Sequence, residues 1–221
     1  MENDKSRYFR NPRPEMIPFI PDGASVLLEV GCGTGAFAAG LKAARAEAGR
    51  PVEVWGVEMD EDAARQAAVS LDRVLHGDVA RVLHELPAGH FDCLILNDVV
   101  EHVLDPGGLL VSLRPLLKPG GYLVASIPNV RYFFNVMDLA VQGRWDYTDE
   151  GILDRTHLRF FTRSSMIRLL EDSGYRVEAA VGINPTGSAK FRLVNLLTLG
   201  RWSDMKYLQF ACLARAGRPV V

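Results

Sequence analysis

The segment Val26-Leu27-Leu28-Glu29-Val30-Gly31-Cys32-Gly33-Thr34-Gly35-Ala36-Phe37 passes from an apolar run through three alternate glycines into a helical pattern. Because glycine has no Cβ, Gly31, Gly33 and Gly35 allow a tight turn and a close approach of the backbone to a ligand. The helix that follows presents N–H groups and the positive end of its dipole, which favour a carboxylate or a phosphate. Glycine turns also serve packing alone, but this pattern predicts a strand, a ligand-binding turn and a helix.

Strand-like and helix-like segments alternate along the rest of the chain. Short apolar runs bounded by Gly, Pro, Asp or Asn are typical of buried parallel strands, and the stretches between them have helical spacing. This alternation predicts an α/β fold with a doubly wound sheet and helices on both faces. The predicted strands are Ser25–Val30, Val52–Met59, one ending near Gly77, Phe91–Leu96, Tyr122–Pro128, Tyr175–Val181 and Tyr207–Ala214. The predicted helices are Gly35–Ala48, Glu61–Leu71, Val79–Leu86, Gly108–Leu117, Arg131–Gly143 and one capped by Thr162 that runs through Ser173.

The length of 221 residues favours one domain. We expect residues 1–22 to form an N-terminal cover segment and residues 23–183 to form the core. Residues 184–206 are predicted to be an insertion before the last strand, which spans residues 207–216. A long excursion of this kind inside a compact domain is usually functional.

Composition excludes several classes of protein. The formal net charge of -2 argues against a general nucleic-acid binder, which carries a basic footprint. The first residues are too polar for a signal peptide, and no apolar run has the length of a membrane span. Three cysteines without a CxxC pair are typical of reduced thiols, so a cytoplasmic enzyme is expected.

Carboxylates follow the next two strands. Glu58 lies at the tip of the second strand, where it can accept hydrogen bonds from both ribose hydroxyls of an adenosine. Asp78 follows the third predicted strand and either accepts from an adenine amino group or caps the next helix. Val79 can pack on the adenine ring. These positions predict a ligand that contains adenosine.

Three features separate S-adenosylmethionine from a nicotinamide dinucleotide as that ligand. The glycines form GxGxG rather than GxGxxG, since Ala36 stands at the place of the last glycine. Glu29 lies two residues before the turn, where its carboxylate can orient the loop or meet an ammonium group and would repel a pyrophosphate. No Tyr is followed four residues later by Lys, so the catalytic pair of short-chain dehydrogenases is missing. S-adenosylmethionine is therefore the expected cofactor.

These motifs together resemble class I S-adenosylmethionine-dependent methyltransferases. The segments that carry the resemblance are residues 29–35, Glu58, residues 77–78, residues 91–92, residues 97–102 and residues 117–121. The resemblance implies a Rossmann-like sheet of seven strands whose last strand is antiparallel. It implies that the three glycines lie along the methionine part and that Glu58 binds the ribose. It also implies that Asp78 and Val79 contact the adenine, and that the backbone at Asn97 approaches the methionine ammonium.

A narrower resemblance rests on residues 153–162 and on Ile127-Pro128-Asn129. These segments are similar to bacterial methyltransferases encoded with glycosyltransferases in surface-polysaccharide clusters, which implies O-methylation of a sugar hydroxyl. The expected acceptor is thus a saccharide or another small molecule, including phosphorylated or lipid-linked forms. Two alternatives remain: a quinone-like or amine acceptor, and a non-catalytic S-adenosylmethionine-binding module. The basic, apolar C-terminal region predicts either contact with a membrane face or packing in a homodimer.

His102 is the predicted general base, because a sugar hydroxyl is a poor nucleophile until its proton leaves. Glu101 beside it can orient the ring or bind substrate, or both residues can simply cap a short helix. Metal ligation by Glu101, His102 and Asp105 is the less favoured interpretation, and no metal is expected.

His157 is the second predicted base. In an extended segment Arg155, His157 and Arg159 would share a face, and the two arginines would bind the acceptor. The alternative is that one arginine pairs with Asp149 or Asp154 and holds the loop. Tyr132 and Tyr147 are predicted to stack on the acceptor, as aromatic rings do on sugar faces.

Overall fold

The computed structural model describes residues 11–217, so the first ten residues of the predicted cover segment lie outside it. The remainder of that segment contains a 3-10 helix, Pro14–Phe19, whose Met16 is completely buried. Proline near the start of this helix removes an N–H that would have had no partner within it.

Within residues 11–217, seven strands form one sheet in the order β3-β2-β1-β4-β5-β7-β6. The strands are β1 (Val26–Val30), β2 (Glu53–Glu58), β3 (Arg73–His76), β4 (Phe91–Asn97), β5 (Leu117–Pro128), β6 (Tyr175–Pro185) and β7 (Tyr207–Ala216). Strand β7 is antiparallel to both of its neighbours, β5 and β6, whereas the pairings among β1 to β5 are parallel. The predicted doubly wound sheet with an antiparallel last strand is confirmed.

Helices cover both faces of the sheet. They are α1 (Ala36–Glu47), α2 (Glu61–Ala67), α3 (Val79–Val82), α4 (Pro106–Leu113), α5 (Phe133–Gln142), α6 (Arg163–Asp172) and α7 (Ala189–Leu197). Further 3-10 helices span Leu83–Glu85, Val100–His102, Arg114–Leu116 and Ser203–Lys206. Side-chain caps at Asp60, Asp78 and Thr162 begin α2, α3 and α6, since their oxygens accept from otherwise unbonded amides.

Successive side chains of the central strands point in turn into two apolar cores, one on each face of the sheet. Leu28 and Leu94 pack with α4 and α6 on one face, while Leu27 and Ile95 pack with α1 on the other. The three cysteines are buried in these cores as free thiols. Burial on both faces explains why β1 and β4 read as nearly continuous apolar runs.

Several predicted boundaries differ from the structure. Helix α2 ends at Ala67 rather than Leu71, because the amides of Val69 and Ser70 donate to carbonyls three residues back, at Gln66 and Ala67, in a turn tighter than an α-helix. Strand β6 continues to Pro185, two residues beyond the predicted core boundary, and α7 lies within the predicted insertion. In the part of the chain that is described, no helix combines the length and apolar character needed to cross a membrane.

Candidate active site at the carboxyl ends of β1, β2 and β4

The turn after β1 needs glycine for its backbone conformation. Gly31, Gly33 and Gly35 have φ values of 70°, 53° and 79°, in the left-handed region. The Gly31 amide donates to the Val57 carbonyl at 2.8 Å, which fixes the turn against β2. A Cβ on Gly31 would lie 2.9 Å from Val99 Cγ2, so the segment after β4 packs directly on the turn.

Glu58 holds this turn from the neighbouring strand. Its Oε2 accepts from the Gly33 amide at 2.8 Å, and its Oε1 accepts from the Asp60 amide at 2.9 Å. Each carboxylate oxygen has a second lone pair, so these bonds leave acceptor capacity. The structure therefore shows a bracing role for Glu58 that sequence analysis did not predict, and its predicted ribose contact remains a prediction.

Two polar side chains at adjacent strand ends, those of the buried Glu29 and the half-buried Asn97, have buried polar atoms with unused hydrogen-bonding capacity. Oε2 of Glu29 on β1, and both Oδ1 and Nδ2 of Asn97 on β4, have no partner among the described residues. Burial, together with the nearby Glu58 carboxylate, raises the pKa of Glu29 to about 8. A buried polar group left unpaired costs about 1–3 kcal/mol, so these atoms call for a polar ligand. An α-ammonium and its carboxylate fit this donor and acceptor set, and with the glycine turn the site fits the methionine part of S-adenosylmethionine.

Asp78 and Val79 lie where the adenine contact is predicted. Asp78 is exposed, and its Oδ1 accepts from the Ala80 amide at 2.9 Å, which is the capping role. Val79 is partly buried and packs against the apolar core. Capping occupies one oxygen only, so the adenine contact remains a prediction.

Asp98, directly after β4, organises a set of contacts that sequence analysis missed. Its φ of 54° is rare for a residue with a side chain and turns the carboxylate toward β5 and β7. Oδ1 accepts from Gln209 at 2.7 Å and from Ser126 at 3.2 Å, and the other oxygen pairs with the buried Arg13 guanidinium. Through Arg13, the N-terminal segment thus reaches the end of β4.

Glu101, His102 and His157 lie together although 55 residues separate the two histidines in the sequence. The histidine rings meet edge to face with centroids 4.7 Å apart. One ligating atom of each of the three side chains lies within 4.8 Å of the other two. Glu101 is only 1% exposed, and burial raises its pKa to about 8.

Backbone hydrogen bonds attach the irregular segment 148–161 to the segment after β4. The amides of Leu158 and Arg159 both donate to the Glu101 carbonyl, at 2.8 and 3.0 Å. The Arg159 guanidinium donates to the Leu104 carbonyl at 2.6 Å. These bonds, rather than packing of a regular element, bring His157 to His102.

The hydrogen bonds of the two rings decide their tautomers. Nδ1 of His102 lies 3.2 Å from the Thr156 carbonyl, and Nδ1 of His157 lies 2.8 Å from the Ile152 carbonyl. A carbonyl oxygen only accepts, so both Nδ1 atoms carry a hydrogen and Nε2 is the basic nitrogen of each neutral ring. Burial and then the neighbouring His157 lower the pKa of His102 below its ordinary value.

Two expectations for this region need correction. The Thr156 carbonyl, not Glu101, orients the His102 ring, because neither Glu101 carboxylate oxygen has a hydrogen-bond partner in residues 11–217. Arg155, His157 and Arg159 do not extend along one face, since the His157 amide donates back to the Asp154 carbonyl in a turn.

Other predicted residues of this region have structural contacts of their own. Arg155 is exposed and pairs with Asp149 at 2.8 Å, the alternative considered for an arginine of this loop. The side chain of Asp105 caps α4 through the Gly108 amide. Asp105 therefore serves the start of a helix, whereas the acceptor contacts of Arg155 and Arg159 remain predictions.

The predicted aromatic residues fall into two groups. Tyr147 and His157 each lie 6.4 Å from Phe160 between ring centroids, so Tyr147 belongs to the neighbourhood of the histidines. Tyr132 lies 5.8 Å from Phe134 at the start of α5, in a separate group. Stacking on an acceptor remains a prediction for both tyrosines.

A cavity of about 110 Å³ opens on the two histidines. Its polar lining comprises Asp98, Glu101, His102, Glu150, Asp154, His157 and Gln209, and its apolar lining includes Pro128, Ile152 and Leu208. A larger cavity of about 370 Å³ lies between β6, β7 and α7, and none of the predicted site residues lines it. Because Asp98 follows Asn97 directly, the smaller cavity adjoins the cofactor turn and is the candidate acceptor site.

Comparison with known proteins agrees with this geometry. Residues 2–180 match the family model described as a methyltransferase domain. A ubiquinone biosynthesis O-methyltransferase of Aromatoleum aromaticum is 27% identical over 194 residues, which cover 84% of this chain and 76% of that protein. One with the same name from Psychrobacter arcticus is 26% identical over 169 residues, covering 72% of this chain and 62% of its own length.

A solved structure extends the agreement to the whole fold. The S-adenosylmethionine-dependent methyltransferase of Archaeoglobus fulgidus superposes with a TM-score of 0.64 at 20% identity, covering 95% of this chain and 94% of that one. At this identity the likeness shows the fold alone, while the family match rests on the sequence. With its glycine turn and unsatisfied Glu29 and Asn97, the chain belongs to the methyltransferase-domain family and is an S-adenosylmethionine-dependent methyltransferase.

Proposed function

We propose that this methyltransferase transfers its methyl group to a hydroxyl of a small-molecule acceptor bound in the 110 Å³ cavity. The observation that carries the proposal is the pair His102 and His157, two histidines whose rings lie 4.7 Å apart and which both line this cavity. A hydroxyl needs a group that takes its proton, and such general-base catalysis contributes about 100- to 10,000-fold.

In the proposed mechanism each part of the site has one task. Bound S-adenosylmethionine supplies a methyl group on a positively charged sulfur. Glu29 and Asn97 would hold the charged methionine end, and Glu58 holds the glycine turn in its conformation. His102 would accept the hydroxyl proton while the oxygen forms its bond to the methyl carbon and the bond between that carbon and the sulfur breaks, which leaves S-adenosylhomocysteine. The cavity walls align the acceptor, and such positioning can supply about 7–11 kcal/mol of the barrier.

The polar cavity lining favours a sugar hydroxyl as acceptor. Glu150 and Asp154 contribute carboxylates to the lining that can accept hydrogen bonds from hydroxyls. The oxygens of Asp98 and Gln209 already accept hydrogen bonds within the protein. A polyhydroxylated acceptor would satisfy more of the Glu150 and Asp154 oxygens than a single hydroxyl. The narrower resemblance of residues 153–162 points to the same acceptor class.

A second candidate is a phenolic, quinone-like acceptor. Two relatives are named ubiquinone biosynthesis O-methyltransferases, and Pro128, Ile152 and Leu208 give the cavity an apolar side suited to an aromatic ring. In both candidates the acceptor hydroxyl loses its proton and receives the methyl group. They differ in whether a sugar or an aromatic ring carries that hydroxyl.

Methyl transfer to two acceptor panels, hydroxylated sugars and dihydroxyphenols, tests the proposal in the full chain. We expect product from one panel, and we expect His102→Ala to lose about 100-fold or more of its turnover while it still binds S-adenosylhomocysteine. His84→Ala is the matched control, because His84 is exposed and its Nδ1 donates to the Arg81 carbonyl of its own turn. Unchanged turnover in His102→Ala would remove the base, and absence of product from both panels would contradict the hydroxyl acceptor.

A further inference from the structure

We propose that the cavity of about 370 Å³ between β6, β7 and α7 is a second ligand site, which takes a phosphate monoester that carries an aromatic ring. Small-molecule sites have volumes of about 300–1,000 Å³, a range that includes this cavity. Part of its wall is α7 and the 3-10 helix Ser203–Lys206, which come from the predicted insertion at residues 184–206. A long excursion inside a compact domain is usually functional, and the proposed function does not use this one.

Two cationic side chains in the lining are available to an anion. Nε of Arg163 donates to the Ala180 carbonyl at 3.3 Å, which positions the terminal nitrogens of the guanidinium. Nζ of Lys206 lies 5.7 Å from the centre of the Tyr207 ring. Neither cation has an ion pair with a carboxylate among residues 11–217. The cavity therefore offers two positive charges to a ligand.

The acid in the lining, Asp204, does not cancel these charges. Both of its carboxylate oxygens accept from Nη1 of Arg131 at 2.6 Å, so Asp204 already has a cation of its own. A phosphate monoester carries a charge of about −1.5 to −2 at neutral pH and three strong acceptor oxygens, whereas a carboxylate carries one charge. The two cations thus match a phosphate monoester better than a carboxylate.

Aromatic side chains make the rest of the cavity suitable for a ring. Phe191 and Phe210 are buried in its lining, and Tyr207 packs directly on Gly182, which has no Cβ to obstruct the tyrosine ring. Ligand sites combine an apolar and aromatic lining of this kind with a few polar groups that fix the orientation of the ligand. Inorganic phosphate would use the cations and leave the aromatic lining without a partner.

Asn195 of α7 indicates a hydrogen-bond donor on the ligand. Its Oδ1 atom is buried and has no partner within the described part of the chain. Buried polar atoms are normally hydrogen-bonded, so this oxygen calls for an N–H or an O–H of the ligand. The expected ligand thus combines a phosphate, an aromatic ring and a donor on that ring, as a nucleoside phosphate does.

Calorimetry on the full chain with three probes tests the site. Saturating S-adenosylhomocysteine is present throughout, so that no probe binds at the glycine turn. Uridine monophosphate has the ring, the ring N–H and the phosphate, phenyl phosphate lacks the donor, and inorganic phosphate lacks the ring. We expect one equivalent of uridine monophosphate to bind most tightly and inorganic phosphate to bind most weakly.

Substitutions of the lining locate the binding. An ion pair at a partly exposed position is worth up to about fivefold in affinity, so Arg163→Gln and Lys206→Gln should each weaken binding of both esters about fivefold, and the double variant about 25-fold. Asn195→Ala should remove the preference for uridine monophosphate over phenyl phosphate. Arg168→Gln is the matched control, because Arg168 is an exposed residue of α6 outside the lining, and it should bind like the parent. Melting temperatures check the folding of each variant.

Three results would overturn the proposal: no binding of either ester, binding that is unchanged in the double variant, or loss of binding in His102→Ala. The last result would place the ester in the acceptor cavity, which His102 lines. The proposed function is tested separately, because these titrations involve no methyl transfer. A chain that methylates hydroxyls but binds neither ester overturns this second site alone, and one that binds them at the lining cations but methylates no hydroxyl overturns the proposed function alone.

Discussion

Replacing Glu29 by Gln tests whether the acid beside the glycine turn is uncharged until a cationic ligand arrives. Glu29 is buried on β1, its Oε2 has no partner in the described part of the chain, and the Glu58 carboxylate lies nearby. Glutamine has nearly the same shape but no charge to desolvate. We expect the variant to be more stable than the parent at neutral pH and to bind S-adenosylhomocysteine more weakly.

The magnitude follows from proton linkage. Burial raises the pKa of Glu29 from 4.5 to about 8, so between these values the folded protein holds a proton that the unfolded chain releases. The stability gained from the neutral acid is complete below pH 4.5 and is lost as pH rises through about 8. One proton corresponds to about 1.4 kcal/mol per pH unit, so Glu29 lowers the stability of the parent by about 2–3 kcal/mol between pH 5 and pH 7.

Urea unfolding at pH 5, 6 and 7 measures this difference. The free energy of unfolding of Glu29→Gln minus that of the parent should rise by about 1.4 kcal/mol per pH unit, while other titrating groups cancel. Glu61→Gln, at an exposed position in the first turn of α2, is the matched control and should follow the parent at every pH. A difference between Glu29→Gln and the parent that stays constant from pH 5 to pH 7 would refute the reasoning.

The same variant should bind the cofactor product less well. A hydrogen bond to a charged group is worth about 1.5–3 kcal/mol, so loss of the negative partner for the methionine ammonium predicts about 10- to 100-fold weaker S-adenosylhomocysteine binding. Calorimetry at pH 7 measures it. Equal affinity would show that Glu29 shapes the turn without contacting the ligand's charge.

Two further substitutions test the turn and the opposite edge of the sheet. Gly31→Ala places a Cβ 2.9 Å from Val99 Cγ2 at a φ of 70°. The substitution should lower the free energy of unfolding, measured with urea, by about 1–3 kcal/mol and reduce S-adenosylhomocysteine affinity at least tenfold. If calorimetry finds the affinity of the parent, the close packing is contradicted. Asp92 is partly buried, which raises its pKa, but the Lys118 ion pair and three hydrogen bonds at the start of β1 outweigh this and lower the pKa to about 2. Asp92→Asn should lower the free energy of unfolding by about 2 kcal/mol at pH 7, and this loss should diminish as pH falls from about 4 to about 2. Cofactor binding should be unchanged. A loss of stability that does not depend on pH would contradict the role of the Asp92 charge.

The cofactor side of the fold could be predicted from sequence because its determinants are local. Three glycines within five residues, an acid before them and Glu58 at the next strand end all lie in short segments with strong patterning. Helix ends were less predictable. The apolar pattern that predicts a helix to Leu71 continues past Ala67, but the backbone leaves the helix there in a turn. The side chain of Leu71 then packs against Gly35 and Gly56.

The acceptor side could be predicted only in part. His102 and His157 were each recognised as candidates, but their contact depends on backbone hydrogen bonds between segments far apart in the chain. Arg13, Asp98 and Gln209 were missed because each contact joins residues separated by about 85 to 196 positions. The local signal was the pair of polar residues formed by Asn97, the last residue of β4, and Asp98, which follows it.

The two halves of the site meet at residues 97–99. Asn97 has unpaired side-chain atoms on the proposed cofactor side, Val99 lies against Gly31, and Asp98 lines the proposed acceptor cavity. The segment 148–161 is attached to this wall through the carbonyls of Glu101 and Leu104.

Backbone carbonyls are present whatever the side chains are, so the loop can change its sequence and keep its position. Within one family, the acceptor can therefore change through loop side chains such as Asp154 and Ile152 while the glycine turn stays the same. For this reason relatives at 26% and 27% identity do not determine the acceptor, and the acceptor panels must decide between a sugar and a phenol.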